Sequence, residues 1–208
     1  MGVVDLTRGE MGSRGTAEQR IRESEQASRI LGLDKRVNLE LPDGGLEQTL
    51  SLRTRLVEIL RELRPRLVIA PYWENHHPDH AATSLLVKDA WWFAGVRKHP
   101  GAGDAFRPEI LVFSTGRYRF QPSFILDITD EWETKRAAVA AYASQLHDPD
   151  SDEPQISTSS PDFLDALEGR HRYFGSLIGV PYGEPYLMRS PVPITDPLHL
   201  ITGDRGVF

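Results

Sequence analysis

The sequence contains no cysteine among its 208 residues. This absence excludes disulfide scaffolds, zinc sites built on thiolates and cysteine nucleophiles, although it does not by itself fix the redox compartment. No apolar run approaches the roughly 20 residues that span a bilayer. The first ten residues mix acidic and basic side chains and show no signal-peptide core. We therefore expect a cytoplasmic protein without a membrane-spanning segment.

An excess of basic charge is also lacking. Lys and Arg total 24 against 30 for Asp and Glu, which gives a formal net charge of -6. Such a balance argues against a surface that neutralises nucleic-acid phosphates or anionic lipids. Because 39% of the residues are hydrophobic, the chain is able to bury one sizeable core. We expect a single domain over residues 1–208, with neither nucleic acid nor a membrane as its partner.

Hydrophobic periodicity divides the chain into alternating strands and helices. Leu67–Pro71 is short, continuously apolar and β-branched, which is typical of a parallel strand covered on both faces. The alternation predicts an α/β fold, a Rossmann-like and mostly parallel sheet with helices on both faces. A polar, exposed loop over 147–161 and a Pro-rich tail follow. The predicted strands are Val3–Leu6, Val37–Leu41, Leu67–Pro71, Ile110–Phe113 and Phe124–Ile128, and the predicted helices span about 17–31, 46–63, 79–94, 130–146 and 162–178.

Three of the seven histidines fall within the five residues His76-His77-Pro78-Asp79-His80. This segment joins the predicted strand 67–71 to the next helix, so it lies at the carboxyl end of a strand, where open α/β sheets bind their ligands. An imidazole binds zinc or carries a proton, and an adjacent carboxylate fixes its tautomer. The plainer alternative is that Asp79 only caps the helix and the histidines are ordinary polar loop residues.

Two further clusters leave alternatives open. The aromatic segments Trp91-Trp92-Phe93 and Tyr72-Trp73 either stack on a sugar ring or pack in the core and at a subunit contact, and the second reading is favoured. Trp91 and Trp92 are adjacent on a predicted helix and cannot both face the sheet, so one of them is expected to pack outward against another subunit. The basic group Arg170-His171-Arg172 either holds a substrate carboxylate or forms a solvated helix end.

Several segments together carry a resemblance to a known family. The chain resembles the LmbE/PIG-L family of zinc-dependent N-deacetylases, and most closely its bacillithiol-biosynthesis branch, the BshB-type deacetylases of N-acetylglucosaminyl malate. The matching segments are Val4-Asp5-Leu6-Thr7-Arg8-Gly9-Glu10-Met11-Gly12, Leu41-Pro42-Asp43-Gly44, Arg64-Pro65, His77-Pro78-Asp79-His80, Pro122-Ser123-Phe124, Ala141-Tyr142-Ala143-Ser144-Gln145, Arg172-Tyr173-Phe174-Gly175 and Ile178-Gly179-Val180.

The resemblance implies roles for the histidine segment. His80 matches the third zinc ligand of the family. His77 matches the residue that stabilises the oxyanion or protonates the leaving amine, with Asp79 orienting it. The other two zinc ligands of the family come from an N-terminal His-Pro-Asp-Asp-x-Glu motif that this sequence does not contain. We therefore expect that the first βα unit of the family fold is missing and that zinc finds one protein ligand here.

The resemblance also implies a substrate and partners. Arg8, Glu10 and Asp43 match residues of the substrate pocket, and a malate aglycone is expected near Arg8 or Arg14. Glu184 matches a family position for which we predict no role. The implied function is zinc-dependent removal of the N-acetyl group from a GlcNAc-type glycoside, N-acetylglucosaminyl malate in bacillithiol biosynthesis. The alternative is a catalytically inactive sugar-binding or assembly subunit that lacks the metal site. Family analogy suggests a homo-oligomer, specifically a hexamer.

Overall fold

The computed structural model describes residues 1–116, 118, 120–191 and 195–196. Strands and helices alternate through most of this length, which confirms the α/β class. Two short 3-10 helices, Ala143–Gln145 and Ser157–Ser159, lie in the connection between the last two helices. The strands are β1 (Gly2–Thr7), β2 (Lys35–Leu41), β3 (Leu67–Pro71), β4 (Ile110–Ser114), β5 (Phe124–Asp127) and β6 (Gly183–Leu187), and the helices are α1 (Ala17–Ile30), α2 (Leu50–Leu63), α3 (Pro78–Ala94), α4 (Trp132–Ala140) and α5 (Phe163–Ser176).

The strands form two sheets. β1 and β2 pair in parallel, and a second sheet has the order β3-β4-β6-β5. β3 and β4 are parallel, whereas β6 is antiparallel to both of its neighbours. Parallel pairing therefore joins the first four strands in two pairs, and the last two strands add an antiparallel edge. Within the described ranges, β1 pairs only with β2 and β3 only with β4, so each has one edge without a strand partner.

The two-stranded sheet is covered by helices on both faces. Alternate side chains of β2 point in opposite directions. Arg36 faces α1, where its guanidinium donates to the Asp5 carboxylate at 2.6 and 2.9 Å and to the Ser24 carbonyl at 2.9 Å. The other face packs against α2 and α3 in a cluster of Leu39, Leu41, Leu56, Val57, Leu86, Ala90 and Ala94.

The prediction that β3 is covered on both faces is wrong. Leu67 and Ile69 share one face of the strand and are 47% and 52% exposed. Ala70, on the opposite face, is buried in a cluster against which Val87 of α3 packs. One helix therefore covers one face of β3, and an apolar sequence alone does not reveal which face is left open.

The strand β6 lies in a segment that the sequence suggested was irregular. Pro185 lacks an N–H group and normally argues against a strand between two neighbours. Here β4 pairs only with Tyr186 and Leu187, so Pro185 lies where β6 has a single strand neighbour, β5. Most of the predicted tail after Pro191 lies outside the described residues.

The α3 helix carries the adjacent tryptophans on different sides, as predicted. Trp91 donates from its ring nitrogen to the Pro108 carbonyl at 2.9 Å, whereas Trp92 is 53% exposed. A subunit contact at Trp92 stays a prediction. Across the described ranges, no helix combines the length and the apolar character that crossing a membrane requires.

Arg14 anchors the segment that precedes and includes the polar loop 147–161. Its side chain is 3% exposed and donates to four backbone carbonyls at 3.1 to 3.3 Å. These bonds occupy the guanidinium, so the structure gives no support to Arg14 as a ligand of a malate group. The four acceptors belong to Ser144, Leu146, Glu153 and Pro154.

A second buried arginine, Arg61 of α2, holds the chain that follows α3. It is 4% exposed and donates to the carbonyls of Ala94, Val96 and Gly101 at 2.9 to 3.2 Å. Buried carbonyl groups that lose their donor incur a full desolvation cost. Arg61 is therefore expected to contribute strongly to the free energy of unfolding.

We predict that Arg61→Met lowers the free energy of unfolding by about 2–4 kcal/mol, because methionine retains the apolar stem but leaves the carbonyls without a charged donor. Urea titration followed by circular dichroism measures this change. The control is Arg66→Met, since Arg66 pairs with Glu109 through a side chain that is 83% exposed, and such surface pairs contribute about 0–1 kcal/mol. Equal losses in the two variants would contradict the prediction.

Candidate functional site

A cavity of about 620 Å³ lies between β1 and the carboxyl end of β3. It is open to solvent on one side, and its wall combines backbone of the glycine-rich loop with polar side chains from several elements. This is the edge of the sheet where the sequence placed the ligand site. The lining residues include Val4 to Thr7, Gly9, Met11, Gly12, Arg20, Asp43, Gly44, Leu46, Pro71, His77, Asp79, His80 and Thr83.

The amino terminus of α3 is built by His77 and the two residues after it. His77 is the N-cap in extended conformation, and Pro78 occupies the first helical position, which favours proline. The backbone N–H of Asp79 donates to His77 Nδ1 at 3.2 Å. The predicted helix start is therefore moved by one residue, and the N-cap is His77 instead of Asp79.

This cap decides which nitrogen of His77 is available to a ligand. Because Nδ1 accepts a hydrogen bond, the neutral ring carries its proton on Nε2. The side chain lines the cavity. His77 can therefore donate from Nε2 to an oxygen atom bound there.

The Asp79 carboxylate has a different role from the one that the resemblance implied. Asp79 is 5% exposed, and its two oxygens accept from the backbone N–H of Gly44 at 2.7 Å and of Leu46 at 3.3 Å. It is the backbone of Asp79, and not its carboxylate, that orients His77. The carboxylate instead fixes the turn after β2 against the start of α3.

His80 lies one helical turn after His77 and also lines the cavity. Part of the His80 side chain is exposed to solvent. Desolvation of the imidazole nevertheless lowers its pKa, and the neighbouring His77 and His76 lower it further. The carboxylates of Asp79 and Asp43 oppose this shift. The neutral form, which is the form that binds metals, is therefore favoured at His80.

The described residues do not fit a complete catalytic zinc site. Such sites use three protein ligands, and the ligand atoms must converge on one point. In the part of the chain that the structure describes, no group of three or more His, Cys, Asp or Glu side chains is arranged to hold a metal ion. We therefore assign no reaction step to zinc.

The three predicted substrate residues lie around the glycine-rich loop but differ in their access to the cavity. Asp43 lines it and accepts from the Met11 N–H at 3.0 Å. Glu10 accepts from the N–H groups of Arg8 and Asp43 at 3.2 and 3.0 Å, and the bond from Asp43 contributes most to lowering its pKa. Glu10 therefore clamps the loop to the turn after β2.

Arg20 is a residue of the site that the sequence analysis missed. It projects from α1 into the cavity, and its Nη1 atom is buried without a hydrogen-bond partner in the described structure. A Cβ atom on Gly9 would lie 2.9 Å from Arg20 Nη2, and one on Gly12 would lie 3.5 Å from Nη1. The missed signal is the pair of glycines, whose lack of side chains makes room for a guanidinium.

A smaller cavity of about 170 Å³ lies on the other side of Arg20. Arg8 lines it, together with Arg36 and its partner Asp5. The Asp5 carboxylate raises the pKa of Arg36, which keeps the Arg36 guanidinium charged. Arg20 is shared by the two cavities and is suited to an anionic or strongly polar group that extends between them.

Comparison with known proteins gives two sequence matches that agree. The family model described as GlcNAc-PI de-N-acetylase, PIG-L, matches residues 1–91. The diacetylchitobiose deacetylase of Thermococcus kodakarensis is 31% identical over 152 residues, which are 70% of this chain and 56% of that protein. The matched region therefore spans little more than half the length of this curated relative.

Two solved structures extend the likeness over the fold. The conserved protein TT1542 from Thermus thermophilus is 44% identical with a TM-score of 0.84, covering 93% of this chain and 83% of its own. The N,N'-diacetylchitobiose deacetylase from Pyrococcus horikoshii is 26% identical with a TM-score of 0.75, and the match covers 89% of this chain and 71% of that protein. The proteins from Thermococcus kodakarensis and Pyrococcus horikoshii are both diacetylchitobiose deacetylases, so they leave the bacillithiol branch unsupported. The shared sequence and fold show that the chain belongs to the PIG-L/LmbE family of deacetylases.

Proposed function

We propose that this chain supplies the substrate-binding and oxyanion-stabilising part of a site that removes the N-acetyl group from a small GlcNAc-type glycoside. The observation that carries the proposal is the placement of His77, with Nδ1 engaged by the start of α3 and the ring lining the cavity. The sugar would occupy the 620 Å³ cavity. The activities named for the relatives support the same chemistry.

His77 would donate from Nε2 to the amide carbonyl oxygen of the acetyl group. This hydrogen bond strengthens as negative charge develops on that oxygen, so it stabilises the tetrahedral intermediate more than the substrate. Arg20 would hold a polar group of the sugar or its aglycone. The described residues thus account for substrate binding and for the oxyanion.

The substrate we propose within this class is N-acetylglucosaminyl malate, as used in bacillithiol biosynthesis. What supports this choice is the smaller cavity, where Arg8 and Arg20 lie beside the Asp5–Arg36 pair. A malate carboxylate there would form charge-assisted hydrogen bonds with a guanidinium. Chitobiose offers only hydroxyl and acetamido groups to the same place.

The competing proposal is a sugar-binding or assembly subunit without catalysis. The incomplete zinc site among the described residues favours it, and His80 would then be a lone imidazole instead of one ligand of a zinc ion. Either form would assemble as a homo-oligomer, for which the exposed Trp92 offers a contact. The affinity for a tetrahedral analogue of the reaction intermediate separates the two proposals. A catalytic site binds such an analogue more tightly than the sugar, whereas a site that only binds sugar does not.

We predict that an analogue in which tetrahedral phosphonate replaces the acetyl carbonyl carbon binds at least about tenfold more tightly than N-acetylglucosamine. His77→Asn should remove this preference, because Asn keeps an N-cap acceptor but lacks the imidazole Nε2–H. Isothermal titration calorimetry of both ligands on both proteins measures the ratio. Equal affinities in the unaltered protein would favour the binding subunit.

We predict that a chain of this sequence binds no stoichiometric zinc at His80 and releases no measurable amine from N-acetylglucosaminyl malate, because the described residues offer zinc no group of three ligands. Metal analysis after zinc loading and an amine assay check both statements, with His80→Ala as the control for adventitious zinc. One equivalent of zinc that is lost in His80→Ala, together with amine release, would contradict the prediction and show that the chain completes a zinc site around His80.

We predict that Arg20→Gln weakens binding of N-acetylglucosaminyl malate by about 10- to 100-fold, as expected for the loss of a charged hydrogen bond. Binding of diacetylchitobiose should change much less. Arg22→Gln, on the exposed side of the same helix, is the matched control and should change neither affinity. Equal effects of Arg20→Gln on both ligands would argue against the malate glycoside.

A further inference from the structure

The position of His77 is fixed from two sides. Its ring is held by the Asp79 N–H. Its own backbone N–H donates to Asn75 Oδ1 at 3.2 Å, so the side chain two residues earlier determines where the backbone of residue 77 lies. A movement of the Asn75 amide would therefore displace His77 relative to the cavity.

The Asn75 amide in turn rests against the turn that follows β4. A Cβ atom on Gly116 would lie 2.8 Å from Asn75 Nδ2, which is closer than real Cβ contacts allow. The absence of a side chain at Gly116 lets the amide occupy this place. Because β3 and β4 are parallel neighbours, their carboxyl ends bring the two turns together.

Arg170 of α5 holds the turn after β4 from the far side. Its Nη1 donates to the Gly116 carbonyl at 3.0 Å. Burial lowers the pKa of Arg170, and the Glu184 carboxylate opposes that shift. Glu184 is itself paired with Lys135 and hydrogen-bonded to Tyr186. These contacts fix a carboxylate whose charge acts on the half-buried Arg170 guanidinium.

We propose that Arg170 is a positioning residue for His77, acting through the Gly116 carbonyl and the Asn75 amide. The inference rests on the proposed role of His77 in the site. Arg170 does not line the cavity. It fixes the surface on which Asn75 rests, and Asn75 fixes the backbone N–H of His77.

The neighbouring arginine on α5 provides a contrast. Arg172 is exposed and pairs with Glu168 at 2.8 Å and with the Tyr182 hydroxyl at 2.9 Å. Its bonds remain on the surface between α5 and the segment before β6. An effect specific to Arg170 therefore cannot be attributed to loss of any arginine from this helix.

The experiment measures amide hydrogen exchange and histidine ring nitrogen shifts by NMR in the full chain. In Arg170→Gln, the His77 amide should exchange about five- to tenfold faster, as expected when a single hydrogen bond is weakened. The ring of His77 should lose part of its Nε2–H signature. Val57, buried in α2, should exchange at an unchanged rate.

Two companion variants make the test specific. Gly116→Ala should produce the same change at His77 with Arg170 intact, because the new methyl group displaces the end of a flexible amide side chain. Arg170→Lys should restore part of the protection, and Arg172→Gln should leave His77 unaffected. Unchanged exchange at His77 in Arg170→Gln, or a uniform acceleration that includes Val57, would overturn the proposal.

The result also separates this inference from the proposed function. If the phosphonate analogue fails to bind the unaltered protein while His77 exchange still responds to Arg170, the positioning role stands and the deacetylase site fails. If the analogue binds through His77 and Arg170→Gln changes neither its affinity nor the exchange at His77, the positioning role is wrong and the function stands.

Discussion

The two halves of the molecule are joined at the site by the buried carboxylate of Asp79. Its oxygens accept from the N–H groups of Gly44 and Leu46, which belong to the connection after β2. Asp79 itself lies in the first turn of α3, directly after β3. Since no strand pairing joins β1 to β3 in the described ranges, these hydrogen bonds and the packing of α2 on α3 set the width of the cavity. A buried carboxylate is stable only when such donors compensate for lost hydration.

The same helix terminus also sets the chemistry of the site. The N–H groups at the start of a helix need acceptors, and here a histidine ring supplies one in place of the usual hydroxyl or carboxylate. The hydrogen bond from the Asp79 N–H to His77 Nδ1 therefore also determines the tautomer of the neutral His77 ring. On the opposite wall, Arg20 occupies the room that Gly9 and Gly12 leave. Structural demands of the backbone thus place one imidazole and one guanidinium at the same cavity.

The sequence predicted the part of this arrangement that depends on local order. The apolar run before Pro71 and the helical spacing after Asp79 placed the histidine segment at the end of a strand, and the structure confirms that position. The sequence alone could not show that the Asp79 carboxylate accepts a hydrogen bond from a turn more than thirty residues earlier. The N-cap role of His77 was also hidden, because histidine is an uncommon cap. Such contacts depend on tertiary packing that no local pattern encodes.

The errors in the fold have similar causes. Ala70 packs toward α3, whereas Leu67 and Ile69 remain exposed, and a continuous apolar run does not distinguish these faces. Pro185 made a strand at 183–187 look improbable, because proline cannot donate a hydrogen bond to a second neighbouring strand. Only the assembled sheet shows that β6 has a single neighbour at this position. Arg14 and Arg61 look like surface residues in the sequence, yet each is buried and holds several carbonyls of segments that are distant along the chain.

The central claim is that the cavity beside the start of α3 binds an N-acetylated amino sugar. The most direct measurement is a titration of the ¹⁵N-labelled chain with N-acetylglucosamine, followed through backbone amide shifts. We expect saturable shifts at Gly9, Gly12, Gly44 and His77, and we expect these shifts to be smaller in His77→Asn. Shifts that avoid these residues, or that are confined to β5 and α5, would contradict it.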